Sequence, residues 1–184
     1  MAPEEAFAEL PKCCDWGIKR DTDGNEYRAQ SRRATCWRGY KAHLAWADGM
    51  IPLLCTTTSA SLHDSQTAVP MMKALGSTVT SLYDLMDSAY DAPGIRRVSA
   101  ALGHIALIDQ NPRRGEKVNF ASAEQIRYRE RGNAERGNSR LKDSFGLRAI
   151  YVRGHAKVNL HIQFAVLALF ADQILKPLNR KTDS

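Results

Sequence analysis

The middle of the chain contains a strand–helix–strand pattern, and this pattern limits the possible folds most strongly. A β-rich apolar segment spans 79–90 and includes Asp87, a helix is predicted over 93–103, and a second apolar strand follows over 104–109. Pro93 starts the predicted helix, in the first turn where proline is favoured. Because two strands joined by a helical crossover lie parallel in one sheet, the pattern predicts an α/β domain with a mixed sheet.

A β-hairpin and three further helices flank this unit. The hairpin is predicted over 39–48 and 51–60, two β-rich segments on either side of an Asp-Gly turn. The spacing of apolar residues predicts helices over 63–75, around 121–144 and around 155–175. The ends of parallel strands are where ligands of such sheets bind, so Asp87 is a candidate for chemistry.

At 184 residues, the chain is long enough for one ordinary domain. We assign residues 38–176 to this domain, with a polar, turn-rich N-terminal extension over 1–37 and a tail over 177–184. The acidic N-terminus does not resemble a signal peptide. The most apolar run, 164–171, is much shorter than the ~20 residues of a membrane-spanning helix. We therefore expect a cytoplasmic protein with no membrane partner.

Positive charge is concentrated in one window of the sequence. Residues 111–157 contain twelve Lys and Arg and five Asp and Glu, a net charge of +7, whereas the rest of the chain carries −1. Arginine predominates, and its guanidinium group suits bidentate contacts to phosphate. A concentrated basic segment is typical of a nucleic-acid-binding protein, although a solvated helix face produces the same pattern. We predict duplex DNA as the partner.

Within this window, Tyr128, Arg131, Glu135 and Lys142 have the spacing Y-x2-R-x3-E-x6-K. On one continuous helix these positions lie at about 0°, 300°, 340° and 320°, in a stripe of roughly 60°. One carboxylate is therefore expected among two cations and a phenol. Arg131 and Glu135 could also form a simple (i, i+4) ion pair, worth about 0.2–0.5 kcal/mol.

This spacing resembles the YREK signature of the bacterial insertion-sequence DDE transposases, whose catalytic domain has the RNase H-like fold. Other segments resemble blocks of that family in the same order: GYKAHLA at 39–45, TSASLHDSQ at 58–66, LYDLMDSAYDAP at 82–93, DQNPRRG at 109–115 and SRLKDSFG at 139–146. The resemblance covers about residues 15–175. It implies an RNase H-like mixed sheet flanked by helices, and DNA strand cleavage and transfer at transposon ends by metal-dependent phosphoryl transfer.

The resemblance also implies roles for individual residues. Asp87 corresponds to the second Asp of the catalytic triad and Glu135 to its Glu, and both would bind Mg²⁺ or Mn²⁺, hard ions that prefer oxygen ligands. Considered alone, Asp87 could equally cap the helix that follows it. The expected DNA-binding residues, which would contact phosphates and a displaced base near the cleaved end, are Tyr128, Arg131, Arg136, Arg140 and Lys142. A homo-oligomer on nucleoid DNA is a further expectation.

The first catalytic Asp of the family has no clear match. In the family it lies on a first strand upstream of the segment that begins here with CDWGIK, and the residues before this segment contain no Asp and no strand pattern. We therefore expect the first strand to be missing and catalysis to be impaired. The alternative is a non-catalytic DNA-binding remnant that acts as an inhibitor.

Other polar residues are assigned to structure. We expect Asp64 to cap the helix that follows it and Asp91 to cap the Pro93-led helix. The three histidines of the C-terminal half, His104, His155 and His161, have no metal-ligand spacing. We expect them to serve the core or the surface.

Overall fold

The computed structural model describes residues 5, 7–20, 34–110 and 119–180. The strands are β1 (Asp15–Arg20), β2 (Ala34–Ala47), β3 (Ile51–Ser59), β4 (Tyr83–Met86) and β5 (Ile105–Ile108). The α-helices are α1 (Ser65–Leu75), α2 (Pro93–Ala101), α3 (Ser122–Tyr128), α4 (Gly132–Ser144) and α5 (His155–Arg180). Short 3₁₀ turns occupy Asp48–Met50, Ser88–Tyr90 and Arg129–Arg131. The mixed α/β class predicted from the sequence is confirmed.

The predicted hairpin forms an antiparallel sheet. The strands β2 and β3 pair from Tyr40 opposite Ser59 to Ala47 opposite Ile51, and the turn between them uses Gly49 at a φ of +75°. The strand β1 pairs with the first half of β2. Part of the segment predicted as an N-terminal extension therefore adds a strand to this sheet.

The strand–helix–strand unit is also present. The strands β4 and β5 pair in parallel, with Met86 opposite Ile108, and α2 connects them. The first strand is shorter than the predicted 79–90 segment because a turn lies at each end. The amide of Val79 is hydrogen-bonded to the end of α1, and the backbone turns into a 3₁₀ helix directly after Asp87.

Two hydrophobic clusters hold the elements together. In the first, Met72 of α1 and Ile95 of α2 pack with Ile108 of β5. In the second, Leu141 of α4 and Leu169 of α5 pack with partly buried residues that include Trp46 of β2. The first cluster holds β4 and β5 in place, and the second holds β2 and α4 in place. Residues of β2, β4 and α4 line the space between β2 and β4.

The predicted helix around 121–144 is divided. The helix α3 ends at Tyr128, a 3₁₀ turn spans Arg129–Arg131, and α4 starts at Gly132. Glycine costs a helix about 1 kcal/mol relative to alanine, which agrees with a break at Gly132. Because a 3₁₀ turn has 3.0 residues per turn instead of 3.6, the stripe calculated for one continuous helix is not valid across the break.

The two helix caps predicted from the sequence are wrong. The side chain of Asp64 makes no capping bond and contacts Lys41 Nζ at 3.2 Å. The residue before α2 is Ala92, and Asp91 accepts hydrogen bonds from Arg96 Nε and Nη2 at 3.2 and 2.9 Å. Each carboxylate thus pairs with a cationic side chain, and neither makes the capping bond to a backbone amide.

Candidate active site

A cavity of about 870 Å³ lies between β2 and β4. Its walls include 43–47 from β2, 80–87 from the β4 region and Met71 of α1. Both Asp87 and Glu135 line it. The structure thus brings to one cavity the two carboxylates that the sequence predicted as partners, although 48 positions separate them in the chain.

Asp87 lies directly after β4 and is half-buried. Its Oδ1 accepts a hydrogen bond from the amide of Ala89 at 3.0 Å, so the carboxylate does cap the short 3₁₀ turn. Asp109 directly follows β5, and its amide donates to the carbonyl of Met86 at 3.2 Å. Because β4 and β5 are parallel and in register up to this point, both aspartates leave the sheet at the same edge.

Tyr128 connects the basic segment to this edge. Its hydroxyl donates to the carbonyl of Met86 at 3.0 Å, next to Asp87 in the chain. Burial raises the pKa of the Tyr128 phenol above its usual range; the positive charge of Arg131 opposes this shift, and the negative charges of Asp109 and Asp87 add to it. The phenol therefore stays protonated and keeps donating its hydrogen bond at neutral pH.

Arg131 links Tyr128 to Glu135. Its guanidinium carbon lies 5.7 Å from the centroid of the Tyr128 ring, within the range of a cation–π contact. Its Nη2 donates to Glu135 Oε1 at 2.8 Å, which is the (i, i+4) pair considered from the sequence. The Glu135 side chain is 65% exposed. A continuous set of contacts thus runs from Met86, beside Asp87, through Tyr128 and Arg131 to Glu135.

In a comparison with protein families, residues 16–171 match the Transposase DDE domain. The chain belongs to the DDE transposases. The match covers most of the chain and supports the RNase H-like fold class together with the mixed α/β structure. Comparison with curated proteins and with solved structures found no match.

DDE transposases depend on a divalent metal ion, so the donor set must be tested against one. The oxygen atoms of Asp87 and Glu135 are hard ligands of the kind that Mg²⁺ prefers, and both face the same cavity. Within 5, 7–20, 34–110 and 119–180, however, no group of three or more His, Cys, Asp or Glu side chains converges as a metal site. The carboxylate oxygen atoms of Asp87 and Glu135 are of the type that Mg²⁺ prefers. That these two residues bind the ion is a prediction from the sequence.

The remaining predicted DNA-binding residues lie farther from the Asp87 cavity. Lys142 lines a second cavity of about 1140 Å³, which shares His43 and Asn138 with the first. Arg136 donates to Asn133 Oδ1 at 2.6 Å, and Arg140 donates to Asp172 of α5 at 2.6 Å. In this arrangement Arg140 joins two helices, and its contact with DNA stays a prediction.

Two further carboxylates near the candidate site were not predicted from the sequence. Asp109 could have been found from the predicted parallel strands, because their carboxyl ends meet at one edge. Asp84, inside β4, accepts hydrogen bonds from Ser99 Oγ at 2.6 Å and from His104 Nδ1 at 3.1 Å. His104 therefore serves the core, as expected, and its partner Asp84 lies 20 positions away in the chain, beyond the reach of local patterns.

The other two histidines of the C-terminal half also serve the structure. The Nε2 of His155 donates to the carbonyl of Thr57 at 2.9 Å, and the Nε2 of His161 donates to that of Gly146 at 3.3 Å. Both bonds connect α5 or its start to other parts of the fold.

Gly137 of α4 lies in close contact with Trp46 of β2. A Cβ atom built on Gly137 would lie 2.6 Å from ring atoms of Trp46, whereas one on Gly132 would have only the end of the flexible Arg136 side chain nearby, at 3.5 Å. Glycine at 137 therefore sets the distance between the Glu135 helix and β2, and hence the width of the cavity.

We expect Gly137→Ala to lower the free energy of unfolding by up to about 2 kcal/mol. Overpacking costs roughly 1–3 kcal/mol, and the better helix propensity of alanine offsets about 1 kcal/mol of it. Urea unfolding followed by circular dichroism measures the change. Gly132→Ala is the matched control and should be neutral or stabilising by up to about 1 kcal/mol. Equal effects of the two substitutions would contradict the close contact between Gly137 and Trp46.

Proposed function

We propose that this transposase cleaves and joins DNA strands at transposon ends by metal-dependent phosphoryl transfer, with Asp87 and Glu135 as the metal-binding carboxylates. One observation carries the proposal: the two residues line one cavity and are connected through Tyr128 and Arg131. Mg²⁺ or Mn²⁺ would activate the attacking water or 3′ hydroxyl and stabilise the leaving oxygen. The catalytic unit is the domain assigned to 38–176.

Arg131 provides the phosphate contact nearest to the carboxylates. Its guanidinium group holds Glu135 at 2.8 Å, and its side chain is 31% exposed. A DNA phosphate that enters the cavity offers the guanidinium a bidentate anionic partner. If the Arg131 guanidinium bound this phosphate in place of Glu135, it would position the DNA strand. The Glu135 carboxylate would then be free to move toward Asp87. Tyr128 remains bonded to Met86 and keeps the helical segment against the end of β4.

The adjoining cavity gives the DNA a path away from the site. Arg38, Lys142 and Arg153 line it and are exposed. These cations, with Arg136 and Arg140 on the same helix as Glu135, would neutralise phosphates on either side of the cleaved bond. On this proposal the protein works in the cytoplasm on the nucleoid, bound to duplex DNA with transposon ends, and as a homo-oligomer.

Reduced catalysis is part of the proposal. In the family resemblance, the first catalytic Asp lies on a strand between β2 and the strand that ends in Asp87. In the part of the chain that the structure describes, no strand pairs with β4 on the side of β2, and the cavity occupies this space. Two carboxylates without the third would hold Mg²⁺ weakly, because a hydrated ion bound through few protein ligands gains much of its affinity from substrate phosphates. The alternative is an inhibitor that binds transposon ends and does not cut them.

A nicking assay distinguishes the two functions. A supercoiled plasmid that carries the terminal sequences of the element is incubated with the protein and Mn²⁺, and nicked product is measured beside DNA binding. We expect binding with slow nicking, and no nicking by Asp87→Asn or Glu135→Gln. Binding without any nicking would favour the inhibitor. Absence of binding to DNA at low salt would contradict both.

A further inference from the structure

Tyr151 is the most exposed of the large apolar and aromatic side chains in the part of the chain that the structure describes. Its exposed fraction is 93%, and the next highest in this group is 68%, for Leu82. Tyr151 belongs to residues 147–154, between α4 and α5, which we call the α4–α5 loop. An aromatic side chain can bury roughly 150–250 Å² of surface, and this one buries almost none of it in the fold. The ring is therefore available to a ligand.

The α4–α5 loop is held at both of its ends. The amide of Leu147 donates to the carbonyl of Leu141 at 3.1 Å, at the end of α4. His155, the first residue of α5, is hydrogen-bonded to the carbonyl of Thr57 in β3 at 2.9 Å. Because both ends are held, presenting Tyr151 to a ligand costs less ordering entropy than it would on a free segment.

The surroundings of Tyr151 are cationic. The loop contains Arg148 and Arg153 and no acidic residue, and the Arg148 side chain, which pairs with Asp143, is still 79% exposed. Arg153 lines the cavity of about 1140 Å³ together with Lys142, and this cavity is the path proposed above for DNA. Proteins bind single-stranded nucleic acid with a cationic groove for the phosphates and an exposed aromatic ring on which a base stacks. Charge and position therefore favour DNA with an unpaired base as the ligand of this loop.

Tyr128 is among the residues expected to contact a displaced base, but its ring is engaged within the protein. The ring centroid lies 4.7 Å from that of Phe120 and 5.7 Å from the guanidinium carbon of Arg131. Its hydroxyl is bonded to the Met86 carbonyl. A base could stack on Tyr128 only by displacing one of these contacts, whereas the ring of Tyr151 is open to solvent.

We propose that Tyr151 stacks on an unpaired base of DNA, so that the α4–α5 loop recognises an end whose strands have opened. This role rests on the proposed transposase function, since the base belongs to a DNA end bound along the adjoining cavity. Arg148 and Arg153 contact phosphates close to the stacked base. Because every base has an aromatic face, the loop selects unpaired structure and tolerates any sequence.

The affinities for two DNA probes test this role. One probe is a fully paired duplex, and the other is the same duplex with a short tail of unpaired thymines on each strand at one end. Fluorescence anisotropy of the full chain without metal ion measures both affinities. Tyr151→Ala should weaken binding of the tailed probe about 5–100-fold, the loss expected for one stacked base. It should change binding of the paired probe less than about twofold.

Two further variants separate stacking from other effects. Tyr151→Phe keeps the ring and should bind both probes as the unchanged protein does. Phe164→Ala removes an exposed aromatic side chain of α5 that lies outside the basic window, and it should alter neither affinity. Circular dichroism confirms that each variant is folded.

A photochemical cross-link locates the contact in the unchanged protein. With 5-iodouracil in place of an unpaired thymine, irradiation should cross-link Tyr151 to the tailed probe, and the same base in the paired duplex should not react. Mass spectrometry identifies the residue. Equal losses of affinity for both probes in Tyr151→Ala, no loss for either, or a cross-link only at other residues would overturn the role.

Failure of this role and failure of the proposed transposase function give different results. If Tyr151→Ala has no selective effect while the paired duplex still binds, only the stacking role is wrong. If neither probe binds at low salt, the proposed DNA-cleaving function is contradicted as well. None of these measurements requires cleavage, so an inactive chain is tested equally well.

Discussion

A β-strand that carries an Asp, fused upstream of this chain, is expected to raise Mg²⁺-dependent nicking of end-bearing DNA by about 10²–10³-fold. The reason is the cavity between β2 and β4, which Asp87 and Glu135 line. A third carboxylate there would complete the oxygen ligands of the metal ion. A gain of about 3–4 kcal/mol in transition-state stabilisation corresponds to this factor in rate. The measurement is the rate of nicked-plasmid formation by the fused and unfused chains.

The matched control is the same fusion with Asn in place of the added Asp. It should fold and bind DNA equally well and nick no faster than the unfused chain. In the active fusion, Glu135→Gln should return the rate to that of the control. A fusion that is folded and bound to cognate ends, yet does not nick, would show that a third carboxylate is not sufficient for cleavage by this chain.

Local patterns were sufficient to predict most of the elements. Alternating residues around the Asp48–Gly49 turn predicted the β2–β3 hairpin, and the Pro93-led segment between two apolar runs predicted the parallel pair β4–β5. These patterns work because strand and helix periodicities are properties of neighbouring residues. The strand β1 was not predicted, because its six residues alternate weakly and it depends on pairing with β2.

The contacts that assemble the candidate site could not be read from local sequence. The bond from Tyr128 to the Met86 carbonyl joins residues 42 positions apart. Motif spacing predicted that Arg131 and Glu135 would share a face, and they do form an ion pair. It could not predict the 3₁₀ turn between Tyr128 and Gly132, nor the close approach of Gly137 to Trp46 of β2. The roles of these residues in catalysis stay predictions.

Binding to duplex DNA should weaken by about 10³-fold or more between 50 and 200 mM salt. The window 111–157 carries a net charge of +7, and within it Lys142 and Arg153 are exposed on the cavity that adjoins the candidate site. Each phosphate contact releases condensed counterions, so six or more contacts cost roughly 10³–10⁵ in affinity over this range. Fluorescence anisotropy with a labelled duplex at several salt concentrations gives the slope of log K against log salt.

Lys142→Gln should reduce the steepness of this slope by about 0.9, the value for one lost contact. The control is Lys73→Gln on α1, an exposed lysine outside the basic window, which should leave the slope unchanged. A flat dependence of affinity on salt would contradict the basic surface as the DNA-binding face, whatever the state of the carboxylates.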